Sequence, residues 1–203
     1  MRPVYVLVHG WGLEAGFWAK LAARFAPGDV LGWDLGFFGK PCQPPIPEGR
    51  PVVAVGHSLG VLWLMHERPF GWDRLVAVNG FSCFAGRLGF AAGVAPRVLA
   101  RMRARLATQP REVLAAFLGQ IGYEGESGAV PDVARLGWGL EALAAWDARP
   151  CQPDLALCGA GDPLVTRAMS EACFERINWH PGGHLLPVED PDWCAARLRE
   201  VAV

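Results

Sequence analysis

A single hydroxyl sits between two glycines in "VVAVGHSLGVLWL", residues 52–64, where Gly56-His57-Ser58-Leu59-Gly60 separates two apolar runs. G-x-S-x-G between a strand and a helix makes a turn so sharp that its neighbours must be small, and it lifts the serine above the carboxyl edge of a sheet. The amides that open the helix point toward developing negative charge. Serine at its ordinary pKa is a weak nucleophile and needs a base held by a third group. In this arrangement the partners follow later in the chain, acid before histidine, each just after a strand. "LALCGAGDPLV" places Asp162 directly after a strand, and "WHPGGHLLP" places His184 in the loop after the next one. The order Ser58, Asp162, His184 is the required one. Among rivals, His180 lies before the Pro-Gly-Gly turn, Asp154 precedes its strand, Asp147 and Asp190 suit helix ends, and Asp34 follows an earlier strand.

Acyl transfer also needs two donors for an oxyanion, each worth about 3–4 kcal/mol in a dry site. One is expected from the amide of Leu59, after the nucleophile. The other is assigned to the amide of Trp11 in "HGWG", where Gly10 and Gly12 allow the bend.

Two other chemistries are weaker. Gly10, Gly12 and Ala15 fit G-x-G-x-x-A, with Asp34 at 22 residues beyond Gly12, as in a dinucleotide fold. Trp11 is bulky where a pyrophosphate must approach, however, and Glu14 puts negative charge at the helix start. His66-Glu67 begins like H-E-x-x-H, but Phe70 occupies the second histidine position, so no metal site is expected. No organic cofactor is expected either.

These residues need a scaffold. Residues 3–8 read as a strand buried on both faces, 16–26 as a helix, and "DVLGWDLGFFG" as a short strand running into a glycine-rich loop. Strand "VVAVG", helix "SLGVLWLMHE" and strand "LVAVNG" follow, so strands alternate with helices and imply an α/β fold with a parallel sheet. Residues 82–149 hold no convincing strand but helical segments near 96–107, 110–121 and 132–146. Strand character returns at 154–162 and 174–180, and "DPDWCAARLREVA" closes with a helix. The expected organisation is a core of 1–81 and 150–203, with a helical cap over 82–149 inserted after the third strand.

Hydrophobic residues make up 52% of the 203 and charged residues 19%, which suits one domain with a sizeable core. The N-terminus reads as a mature strand rather than a signal peptide, and no apolar run is long enough to span a bilayer. Six scattered cysteines without a CxxC pair suit reduced thiols and a cytoplasmic location. Net charge is −1, yet Arg74, Arg87, Arg97, Arg101, Arg103, Arg105 and Arg111 span a segment without one Asp or Glu. Arg97, Arg101 and Arg105 share a helix face by their spacing. Such a face suits an acidic partner or a phosphate-bearing substrate, or is simply solvated. Compensating acid elsewhere and the lack of a binding motif disfavour nucleic acid.

Taken together, the chain resembles the α/β-hydrolase superfamily and, within it, the pimeloyl-[acyl-carrier protein] methyl ester esterases of biotin synthesis. "HGWGLEAGFW", "SCFAGR", "GLEALAAWDAR", "GAGDPLV" and "GGHLLPVEDP" carry the likeness. It implies a serine carboxylesterase working through an acyl-enzyme, with Ser58 as nucleophile, His184 as base, Asp162 as its orienter and oxyanion amides from Trp11 and Leu59. It further implies that Leu13 and Leu164 line an acyl channel and that cap arginines, with Arg97, Arg101 and Arg105 as candidates, grip acyl-carrier protein. Two departures stand out. The chain begins at the strand carrying "HG", so the sheet should lack the usual N-terminal hairpin. His57 replaces a tryptophan of those relatives and is expected to shape the substrate channel. The alternatives are a general short-chain carboxylesterase or thioesterase acting on small esters, and a non-catalytic binding module.

Overall fold

The structure is a computed structural model that describes residues 1–124 and 130–202. Six strands, β1 (Val4–Val8), β2 (Val30–Trp33), β3 (Val52–His57), β4 (Arg74–Val78), β5 (Leu155–Gly159) and β6 (Ile177–His180), form one sheet in the order β2-β1-β3-β4-β5-β6. Every neighbouring pair is parallel. All strands therefore end at one edge, where open α/β sheets place their ligands. The ends stay level there: Val8 lies beside both Trp33 and Gly56, and His57 beside Val78.

Strand alternation divides the apolar side chains between two faces. Tyr5, Leu7, Val53, Val55, Val76 and Val78 join one buried cluster, which α1 (Ala19–Ala22), α7 (Leu186–Glu189) and α8 (Pro191–Val201) cover. Val6, Val8, Ala54, Leu75 and Ala77 face the other way, onto α2 (Leu59–Glu67). Residues 59–65 of α2 are all buried, so that helix is apolar on every side. The result is a sheet packed between helical layers, the α/β fold expected.

Among the described residues, three helices, α3 (Pro96–Leu106), α4 (Pro110–Gln120) and α5 (Val133–Ala145), lie between β4 and β5. The chain enters and leaves this insertion at one place: Cys83 bridges Asp147, and the Ala148 N–H donates to the Ser82 carbonyl at 2.8 Å. Residues 125–129 of the expected cap lie outside those described.

The expected position after the third strand needs correcting. Four residues of β2 pair fully with β1, so the insertion follows the fourth strand. The helix expected over 16–26 is also shorter. It splits into a 3-10 turn, Ala15–Trp18, and α1, after which Arg24 and Phe25 bond back only three residues, just before Pro27 and Gly28. A helix unread in the sequence, α6 (Arg167–Cys173), starts at Thr166, whose side chain accepts the Met169 N–H. Among the described residues no helix is long and apolar enough to cross a membrane.

Candidate active site

Ser58 stands at the end of β3 with φ 52° and ψ −122°, a conformation that L-residues rarely adopt. Packing enforces it. A Cβ at Gly56 would lie 2.6 Å from Val61 Cα, and one at Gly60 would collide with the Val8 carbonyl oxygen. A Cβ at Gly10 would lie 2.9 Å from Ser58 Cβ. The glycines of the motif are thus close approaches of backbone to backbone, and Leu59 opens α2 directly after the turn.

Asp162 follows β5 and His184 follows β6. His184 Nδ1 lies 2.6 Å from Asp162 Oδ2, with both side chains essentially buried. The other oxygen, Oδ1, accepts the Leu164 and Val165 amides at 2.8 and 2.9 Å, which fixes the carboxylate's plane. The carboxylate holds the proton on Nδ1 and leaves Nε2 as an acceptor. That Nε2 is buried and has no hydrogen-bond partner among the described residues. His184 also lies against the residue before Ser58: the His57 and His184 ring centroids are 4.7 Å apart, and His57 Nε2 is 2.9 Å from the His184 carbonyl oxygen.

Ser58 opens onto a cavity of about 370 Å³ between the sheet edge and the inserted helices. Its walls include Trp11, Phe81, Met102, Phe117 and Leu164 and are mostly apolar. Trp11 is buried, and its indole N–H donates to the Leu136 carbonyl at 2.8 Å, tying the loop after β1 to α5. Gly12, at φ 68°, brings the same loop against α4, where a Cβ would lie 2.7 Å from Leu114 Cδ1. A second recess of about 430 Å³ between α3 and α4 is lined by Arg97, Arg101 and Arg105 and shares Val98, Met102, Phe117 and Gln120 with the first.

Two residues expected at the channel lie elsewhere. Leu13 is buried in the cluster that holds Phe17 and Trp18 and is not among the residues lining the cavity. His57 is fully buried between Phe17, Trp18 and His184, behind Ser58 rather than in front of it. Burial, with His184 next to it, holds the His57 ring well below the usual imidazole range, so it is neutral.

The rival groups have other partners. Asp34 accepts the Ala15 and Gly36 amides at 2.8 and 2.7 Å and faces His9, shaping the loops after β1 and β2. Burial alone would raise its pKa, but His9 and those amides bring it down to about 2. His180 faces Asp190, whose Oδ1 caps α8 through the Trp193 amide. Asp154 accepts the Leu75 amide at the far end of the sheet, and Asp147 pairs with Arg149. Six cysteines are free, and burial pushes the Cys158 thiol up to about 11 and Cys194 to about 12, so neither is a thiolate at neutral pH.

Residues 42–197 match the model of the alpha/beta hydrolase family. A pimeloyl-[acyl-carrier protein] methyl ester esterase of Aromatoleum aromaticum is 29% identical over 245 residues, 98% of this chain and 98% of that protein. One of Pectobacterium carotovorum is 28% identical over 202 residues, 81% of this chain and 78% of the relative. Among solved structures, an esterase from Exiguobacterium antarcticum superposes with a TM-score of 0.79 at 15% identity, covering 98% of this chain and 91% of that one. With a family match across most of its length and the fold described above, the chain belongs to the alpha/beta hydrolase family.

Proposed function

We propose that the protein is a serine carboxylesterase with Ser58 as nucleophile, His184 as general base and Asp162 as the group that orients it. The observation that carries this reading is the buried 2.6 Å contact from His184 Nδ1 to Asp162, beside a serine held at a strained elbow that opens onto an apolar cavity. Substrate binding would bring the Ser58 hydroxyl into line with Nε2; such contacts are often loose until substrate is present. Ser58 Oγ attacks the ester carbonyl as His184 takes its proton, and Asp162 stabilises the imidazolium. The amides of Leu59, at the start of α2, and of Trp11 would hold the oxyanion. His184 then protonates the departing alkoxide, and a water it deprotonates releases the acid and frees Ser58.

The substrate proposed is the methyl ester of a pimeloyl group carried on acyl-carrier protein, as the names of the two relatives suggest. Helices α3–α5 would act as the cap. Continuity between the apolar cavity and the arginine-lined recess supports the assignment. The acyl chain would occupy the first, and the acidic carrier with its phosphate-bearing arm would meet Arg97, Arg101 and Arg105 at the second. Leu164 remains the proposed contact to the chain, whereas Leu13 and His57 are not. A second reading, a general short-chain carboxylesterase, is favoured by the scarcity of polar groups in the cavity, which would admit many acyl chains.

Hydrolysis of methyl-pimeloyl carrier protein, compared between wild type and Ser58→Ala, tests the assignment. Turnover by wild type alone is expected. A wild type that cleaves p-nitrophenyl butyrate but leaves the carrier-linked ester intact would reject the substrate and keep the reaction.

A further inference from the structure

His184 is held by its backbone as well as by its ring. The His57 Nε2–H donates to the His184 carbonyl at 2.9 Å, and the Asn79 side-chain amide donates to the preceding Gly183 carbonyl at 2.8 Å. The Glu189 carboxylate accepts the Gly183 amide at 2.7 Å and the Leu185 amide at 3.3 Å. Peptide groups on both sides of the imidazole are thereby fixed by three side chains, from β3, from the residue after β4 and from α7.

Each holder is itself immobilised. Asn79 sits in the left-handed region at φ 43°, which asparagine tolerates, and it is buried. Its Oδ1 accepts the Gly159 amide at 2.7 Å and its own amide donates to Leu157 at 2.8 Å, so it is bound to the strand that leads to Asp162. His57 is wedged by Phe17 and Trp18, with ring centroids 4.6 and 6.2 Å away. Its Nδ1 is buried without a partner among the described residues. An unpaired buried nitrogen is a cost that an apolar residue of similar volume would avoid. Among the described residues, the one hydrogen bond of the ring is to the carbonyl of His184.

We propose that His57, Asn79 and Glu189 form a backbone cradle for His184, and that His57 is a positioning residue of the reaction rather than a wall of the substrate channel. The inference rests on His184 serving as base. The loop that carries it, Pro181-Gly182-Gly183-His184, has two adjacent glycines and little conformational preference of its own. A general base must be placed to within a fraction of an ångström, and a shift of about 1 Å costs on the order of a hundredfold in rate. The cradle supplies what the glycines do not. The hydrogen bond needs only an N–H at the reach of Nε2, so glutamine can stand in for histidine at position 57 and leucine cannot.

The test measures kcat and KM on p-nitrophenyl butyrate for wild type, His57→Leu, His57→Gln, Asn79→Gly and His184→Ala, together with fluorophosphonate inactivation rates and thermal melts. His57→Leu is expected to lose about 10- to 100-fold in kcat with KM within about twofold, and its inactivation should slow in parallel. His57→Gln should recover to within about threefold of wild type. Asn79→Gly keeps the backbone conformation but removes both side-chain bonds, and the same kcat-only loss is expected. A folded His57→Leu with wild-type kcat, or a His57→Gln as slow as His57→Leu, overturns the cradle. Should His57→Leu fail to fold, a wild-type kcat in Asn79→Gly overturns it instead. Wild-type activity in His184→Ala rejects the base itself; an inactive His184→Ala beside a normal His57→Leu rejects only the cradle.

Discussion

Replacing Ser58 by glycine should stabilise the protein while abolishing turnover, and replacing it by alanine should abolish turnover without that gain. At φ 52° and ψ −122° any Cβ is strained, and such a residue costs about 1–3 kcal/mol. Glycine removes this strain, whereas alanine keeps it. Against the gain stands the greater freedom of glycine in the unfolded chain, about 0.4–1 kcal/mol relative to alanine. The difference leaves Ser58→Gly more stable than Ser58→Ala by about 1–2 kcal/mol. For a chain of 203 residues this is a rise in Tm of roughly 3–6 °C. Calorimetry or circular dichroism melts of the two variants, prepared identically, give the comparison. Both lack the hydroxyl, so the chemistry of the site cancels. A glycine variant that melts at or below the alanine variant would show that the elbow stores no strain and that its geometry is not imposed by the surrounding backbone.

Other outcomes follow from the same geometry. Asp162→Asn should bind ester with similar KM but lose about three to four orders of magnitude in kcat, because an amide cannot hold the proton on Nδ1 of His184; steady-state kinetics decide it. Arg97→Glu, Arg101→Glu and Arg105→Glu together should lower kcat/KM for a carrier-linked ester about 10- to 100-fold at low salt and leave p-nitrophenyl butyrate within about twofold. Equal effects on both substrates would remove the docking role. Met102→Trp should obstruct the wall shared by the cavity and the arginine-lined recess, costing carrier-linked ester about tenfold more than p-nitrophenyl acetate in competition assays. Asp34, brought from 3.8 to about 2, binds fewer protons folded than unfolded in that range, so its contribution exists above pH about 4 and is lost as pH falls toward 2. Asp34→Asn should therefore melt lower than wild type at neutral pH by the equivalent of about 1–2 kcal/mol, with the gap closing below pH about 4.

Much of the fold was legible because the sequence carries it in local patterns. The motif around Ser58 has glycines exactly where backbone approaches backbone, and strands such as Val4–Val8 are continuously apolar because both faces are covered. Asp162 and His184 could be picked out because each lies in a short glycine-bearing loop after a strand. Contacts between side chains and distant backbone leave no such trace. Asn79, Glu189 and the N–H of His57 act through peptide groups, whose sequence is immaterial to the bond. The place of Leu13 was misread for a related reason. Position in a loop does not tell which neighbours a side chain takes, and Leu13 is buried with Phe17 and Trp18 rather than among the residues lining the cavity. The four-residue β2 was read as a strand but left out of the count that placed the insertion after the third, although its ladder to β1 is complete.

Labelling with a fluorophosphonate, followed by peptide mass spectrometry, tests the central claim most directly. The account predicts one adduct, on Ser58, formed quickly by wild type and far more slowly by His184→Ala and Asp162→Asn. A folded protein that remains unlabelled, or that carries its adduct on another residue, would contradict it.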